Sequence, residues 1–264
     1  MTEPFAVSRI AGLVTAGFVA GVMNSIAGGG TLVTFPTLIL TGLPSVPANA
    51  TSTVALLPGI LSSAAGYRKN IRAVSRWLKL FAPVSLLGGL AGGVLLVQTP
   101  SRVFDAFVPF LILFATILFM AQGALGRVLK TQGGAGQGRP HSRNGIIGAV
   151  VFQFAVALYG GYFGAGIGIL MLASLGMLGF ESVHEMNTLK VMLAFLINVV
   201  AAVYFVASGL IHWTSVGIMM VGTIAGGFTG AHYAQQVSQK VVRKLISAIG
   251  LMISGVMFTR TFLS

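Results

Sequence analysis

Ten apolar stretches, almost free of charge, follow one another along this chain, and they limit its folding more than any other feature. They lie near residues 8–27, 30–42, 49–67, 78–97, 104–125, 145–163, 166–179, 187–207, 214–233 and 244–263. Most reach the ~20 residues that cross ~30 Å of hydrocarbon at 1.5 Å per residue. Only 8% of the 264 residues are charged, against about 25% in a soluble domain, so the chain cannot cover itself with a wetted surface. In lipid every backbone polar group needs an internal partner, and consecutive segments of this length meet that need as helices. The expected fold is therefore an all-α, polytopic transmembrane bundle of about 8–10 membrane-crossing segments.

Two stretches are too short for a full crossing. Segments 30–42 and 166–179 would reach only ~20 Å as helix, and glycine clusters precede both. Short, glycine-interrupted segments of this kind suit half-helices or broken hairpins. They also occupy equivalent places, because the sequence repeats itself at an offset of 137 residues. Val19-Ala20 falls on Val156-Ala157, Gly29 on Gly166, Ser45-Val46 on Ser182-Val183, Thr51 on Thr188, Tyr67 on Tyr204 and Gly93 on Gly230. Low complexity would scatter Gly and Ala matches without holding one register through Ser-Val, Thr and Tyr. The chain thus divides into repeat 1 (1–126), a basic linker (127–143) and repeat 2 (144–264).

Charge placement orients the repeats. Twelve of the 16 Lys and Arg residues fall into three clusters: Arg68, Lys69, Arg72, Arg76 and Lys79; Arg127, Lys130, Arg139 and Arg143; and Lys240, Arg243 and Lys244. Short Lys/Arg-rich loops stay on the cytoplasmic side, which places 68–79, 127–143 and 234–243 inside a bacterial inner membrane. Five segments per repeat then give two inverted-topology repeats, the plan of many secondary transporters, with both termini outside. The net charge of +12 is accounted for by these loops, and no nucleic-acid partner is expected. Arg9 before an apolar run resembles the start of a signal peptide, but no small-residue cleavage site follows, and an uncleaved segment is expected.

The stretch from Asn24 to Gly59 is the most informative. Gly28, Gly29 and Gly30 would break a helix at mid-depth, so that the helix starting at Thr31 aims its amide N–H groups at the break. Close helix packing is the alternative reading of such glycines. Gly164, Gly166 and Gly168 repeat the pattern in kind. Asn49, Thr51 and Ser52 open a further helix, and Asn187 and Thr188 are their repeat mates; these side chains suit an oxyanion or simple capping. Lys190 is a basic residue set inside an apolar segment, which marks a cavity or a partner such as Glu181 or Glu185. An ammonium among helix N-termini would select an anion. Asn24, Ser25, Tyr67, Gln153, Tyr159, Asn198 and Tyr204 are weaker polar candidates, and His212 and His232 are titratable ones. Cysteine is absent, and no metal-binding, nucleotide-binding or catalytic spacing is visible, so neither cofactor, metal nor enzymatic activity is expected. The small-residue run Gly88-Gly89-Leu90-Ala91-Gly92-Gly93 leaves intramolecular packing and a homodimer seam both open.

The pattern AGGGTLVTFPTLILTGLPSVPANATS (27–52), followed by a basic loop and by GYFGAGIGILMLASLGMLGFESVHEMNTLK (161–190), resembles the TauE/SafE sulfite exporter family across essentially the whole chain. The second repeat departs from a clean glycine run at Gly164-Ala165-Gly166-Ile167-Gly168. The resemblance implies a small sulfur oxyanion, sulfite or an organosulfonate, as substrate. The combined expectation is an exporter working by alternating access in the bilayer, with a site at Gly28 to Thr31, Asn49, Thr51, Ser52, Gly164, Gly166, Asn187, Thr188 and Lys190. Competing classes are a carrier or channel for another small anion or organic acid, a membrane-embedded enzyme or assembly factor, and a cation channel, which would need buried carboxylates.

Overall fold

Runs of Leu, Val, Ile, Phe and Ala without charge form helices here wherever proline and glycine do not interrupt them. The computed structural model describes residues 3–26, 28–67, 70–133, 143–178, 180, 182–233 and 239–262. Among these there are ten helices and no strand: α1 (Glu3–Ile26), α2 (Thr31–Leu40), α3 (Ser45–Gly66), α4 (Ile71–Gln98), α5 (Ser101–Gly133), α6 (Arg143–Tyr162), α7 (Ile167–Met177), α8 (Val183–Ala207), α9 (Trp213–Tyr233) and α10 (Gln239–Phe262). Pro44 and Pro100 stand just before α3 and α5, where a missing N–H costs nothing. Pro58 lies inside α3. The chain is a polytopic helical membrane protein.

Among the described residues four helices are long and apolar enough to cross a bilayer on length and composition alone: Ile71–Gln98, Ser101–Ala121, Gly145–Tyr162 and His184–Ala207. Helix α3 shows why a helix of this bundle need not be apolar throughout. Asn49, Thr51, Ser52, Thr53 and Ser63 along it are all buried, so this helix faces other helices and has no need of a continuous apolar surface. The outer helices do, and Leu87, Phe107, Phe110, Ile117, Val151, Val221 and Phe228 stand exposed on them. The basic residues Arg72, Arg76 and Lys79 lie exposed on the first turns of α4. Helix α5 continues to Gly133, past the boundary drawn at residue 126, so the expected linker is helical over its first residues. Arg68, Lys69, Arg139 and Glu181 lie outside the described residues.

The two halves embrace one another reciprocally. Helix α1 packs along α9, and α6, the first helix of the second half, packs along α4. In the same way α3 packs on α9 as α8 packs on α4, and α3 meets α8 in the middle. Glycine makes these approaches. A Cβ on Gly92 of α4 would overlap the Leu158 carbonyl of α6, and one on Gly226 of α9 would overlap the Phe18 carbonyl of α1. Gly89 and Gly93 turn instead to Ile197 and Ala201 of α8. The small-residue face of α4 is therefore spent on packing within the chain. Polar pairs pin the same seams: the Gln153 amide donates to Ser85 Oγ at 2.9 Å, and Thr223 Oγ1 donates to the Ala55 carbonyl at 2.9 Å.

Candidate anion site at the two glycine breaks

Each half is broken at the same place by residues that only glycine tolerates well. Between α1 and α2, Gly28 and Gly29 have φ of 86° and 90°; between α6 and α7, Gly164 and Gly166 have φ of 81° and 80°. Any other L-residue there carries a backbone penalty of ~1–2 kcal/mol. The second loop thus makes the same break as the first without a glycine run. Each loop has its own brace. Asn24 Oδ1 accepts the Gly30 N–H at 2.8 Å, and the Tyr159 hydroxyl donates to the Ala165 carbonyl at 2.8 Å.

The breaks face each other. A Cβ on Gly28 would sit 3.8 Å from Gly168 Cα, and one on Gly164 would sit 3.8 Å from Thr31 Oγ1. The N-cap residues of α2 and α7, Gly30 and Gly166, have no side chain to cap the first turn, and the dipole of each helix places partial positive charge at that end. Helix α2 is 10 residues long, roughly 15 Å. It folds back along α1, where Arg9 Nη2 donates to the Thr41 carbonyl at 2.6 Å. The short segments are half-helices in hairpins.

Between the loops and the long helices α3 and α8 lies a cavity of about 50 Å³. It holds only a few water-sized groups, the scale of one small oxyanion. Asn24, Gly28, Gly29, Thr31, Ser63, Gly164, Gly168, Lys190 and Asn198 supply its polar lining, and Leu56, Ile60, Ile167, Val191 and Ala194 its apolar wall. No carboxylate is among them. Lys190 is 3% exposed, and among the described residues no hydrogen bond or ion pair reaches its ammonium. An ammonium buried without a counter-charge is costly in a membrane protein, and an anion in this cavity would supply that counter-charge.

Of the residues expected at the site, Gly28, Gly29, Thr31, Gly164 and Lys190 line this cavity. The others do not line it. Gly30 is held by Asn24 and packs on Ala20, while Gly166 faces Ala115 and Leu118 of α5. The Asn49 amide donates to the Tyr162 carbonyl at 2.9 Å, and Thr51 Oγ1 accepts the His212 N–H at 3.1 Å. Ser52 Oγ pairs with Thr34 Oγ1. Thr188 Oγ1 donates to the His184 carbonyl at 2.7 Å, and Asn187 stands half-buried on α8. Ser63 and Gly168 join the cavity without having been expected there. One signal was available for Asn198, which follows Lys190 by two helical turns in the series Lys190, Ala194, Asn198. Among the described residues no group of three or more His, Cys, Asp or Glu comes together as a metal site.

Comparison with known proteins agrees with this architecture. Residues 13–257 match the family described as sulfite exporter TauE/SafE. A "Probable membrane transporter protein" of Haemophilus influenzae is 30% identical over 253 residues, covering 95% of each chain. "Probable membrane transporter protein ORF9" of a Sinorhizobium species is 27% identical, over 94% of this chain and 92% of its own. "Probable membrane transporter protein YfcA" of Escherichia coli is 25% identical, over 89% of this chain and 84% of its own. No solved structure matches.

Proposed function

This chain belongs to the sulfite exporter TauE/SafE family of membrane transporters, and on that premise we propose that it carries a small sulfur oxyanion, sulfite or an organosulfonate, across the bacterial inner membrane. The observation that carries the reading is Lys190, a buried ammonium without a partner among the described residues, standing over two glycine-broken loops in a cavity without carboxylates. The helix starts at Thr31 and Ile167 add oriented backbone N–H groups. Such a site holds an oxyanion by charge and by hydrogen bonds at once, and rejects cations by the same charge.

Direction follows from the membrane potential. With the three basic clusters inside, an inside-negative potential favours exit of an anion by ~2.3 kcal/mol per charge per 100 mV. Export then proceeds without a coupling ion. The reciprocal packing of α1 on α9 and α6 on α4 supports two inverted repeats, residues 1–126 and 144–264, that rock against each other around the fixed cavity. Alternating access by such repeats is a general transport mechanism. Purified protein in liposomes loaded with radiolabelled sulfite tests the reading. Efflux should rise with an imposed inside-negative potential and vanish in Lys190→Met. Absence of flux for sulfite, thiosulfate and sulfoacetate alike sinks the substrate class.

A further inference from the structure

Four residues along α2 from Thr31, a rise of about 6 Å, Phe35 leaves the central cavity behind and borders a second one. This cavity measures about 420 Å³ and is lined by Phe35, Ser45, Arg102, Asp105 and Met257 among others. Phe35 belongs to a cluster of three rings. Phe35 meets Phe163 edge-on at 5.6 Å and Phe104 edge-on at 6.2 Å, and Phe104 lies 6.5 Å from Phe163. All three are fully buried. Phe163 directly precedes Gly164, and Phe35 follows Thr31 by one turn, so this cluster abuts lining residues of the central cavity on two elements.

The larger cavity has its own polar equipment. Ser45 borders the cavity, and its buried Oγ has no hydrogen-bond partner, an expensive state. Arg102 stands exposed at the start of α5, with Asp105 exposed three residues on. No ion pair joins them.

We infer that this second cavity is the outer vestibule of the anion path, and that Phe35, braced by Phe104 and Phe163, is the barrier separating it from the central site. The inference rests on reading the central cavity as the transport site and on the topology that puts the start of α5 outside. A small anion leaving the central site passes Phe35 and meets the Arg102 guanidinium and the Ser45 hydroxyl. Asp105 keeps the net charge of the mouth near zero, so the anion is received without being retained. Conduction needs such weak holding at its last station.

The chain contains no cysteine, so single cysteines report without background. Ser45→Cys and Thr31→Cys are expressed in cells and treated from outside with an anionic, membrane-impermeant methanethiosulfonate. Ser45→Cys should react readily and Thr31→Cys slowly. Adding Phe35→Ala or Phe163→Ala should speed the reaction at Thr31→Cys by about tenfold, the scale set by loss of one aromatic contact, while Phe35→Leu keeps it slow. Size-exclusion profiles identify variants that fold. Failure of Ser45→Cys to react from outside overturns the vestibule. Equal reactivity of Thr31→Cys and Ser45→Cys with Phe35 in place overturns the barrier, as does continued protection in folded Phe35→Ala and Phe163→Ala. The labelling needs no substrate. Flux absent with this pattern intact would remove the sulfur oxyanion and keep the path; the reverse would remove the path alone.

Discussion

At the scale of single residues, the proposed site rests on Lys190 and the glycines, for different reasons. A charged side chain at the centre of a membrane helix costs ~2.5–3.5 kcal/mol on insertion scales, and nothing among the described residues offsets that at Lys190. Lys190→Met, close in length and uncharged, should therefore raise the melting temperature of the purified protein in anion-free buffer while abolishing stabilisation by sulfite. A lower melting temperature without anion would mean that Lys190 has a structural partner. The glycines offer an internal control. Gly28 and Gly42 both hold positive φ, 86° and 92°, so alanine at either carries a similar backbone penalty of ~1–2 kcal/mol. A Cβ at Gly42 meets open space, whereas one at Gly28 enters the narrow gap toward Gly168. Gly28→Ala should lose flux and Gly42→Ala should keep it, at comparable loss of thermal stability.

At the scale of elements, the seams between helices are set by how closely backbones approach. Gly92 has no room for a Cβ against the Leu158 carbonyl, while a Cβ at neighbouring Gly93 would make ordinary contact at 3.4 Å with Ala201 Cα. Gly92→Val should sharply reduce folded yield on size exclusion, and Gly93→Ala should be tolerated. Equal tolerance would show that α4 and α6 are not held at this distance. The element pattern was largely legible in the sequence, because apolar length, proline and consecutive glycines act locally. The half-helices α2 and α7 were visible for the same reason. Which polar residues line the cavity was only half legible. Asn49, Thr51, Ser52 and Thr188 were expected to open helices, but α3 starts at Ser45 and α8 at Val183, so all four lie a turn or more inside. Their side chains are taken up by Tyr162, His212, Thr34 and His184. Those partners are set by tertiary packing, which capping chemistry does not foretell. The same polar content makes α3 read as too hydrophilic for lipid, although its neighbours shield it.

At the scale of the whole molecule, the account joins a topology to a charge. Fusions should show it: alkaline phosphatase joined after Pro100 should be active outside, and a fluorescent protein joined within 134–142 should fluoresce inside. The opposite pattern would reverse the direction of potential-driven flux. What unifies the molecule is the meeting of two broken hairpins beneath the buried Lys190 ammonium, and binding tests that most directly. Equilibrium binding of radiolabelled sulfite to the purified protein, measured for the native chain and Lys190→Met at fixed ionic strength, should give saturable binding in the first and none in the second. Equal affinity in both proteins, or saturable binding of alkali cations with no binding of anions, would contradict the account.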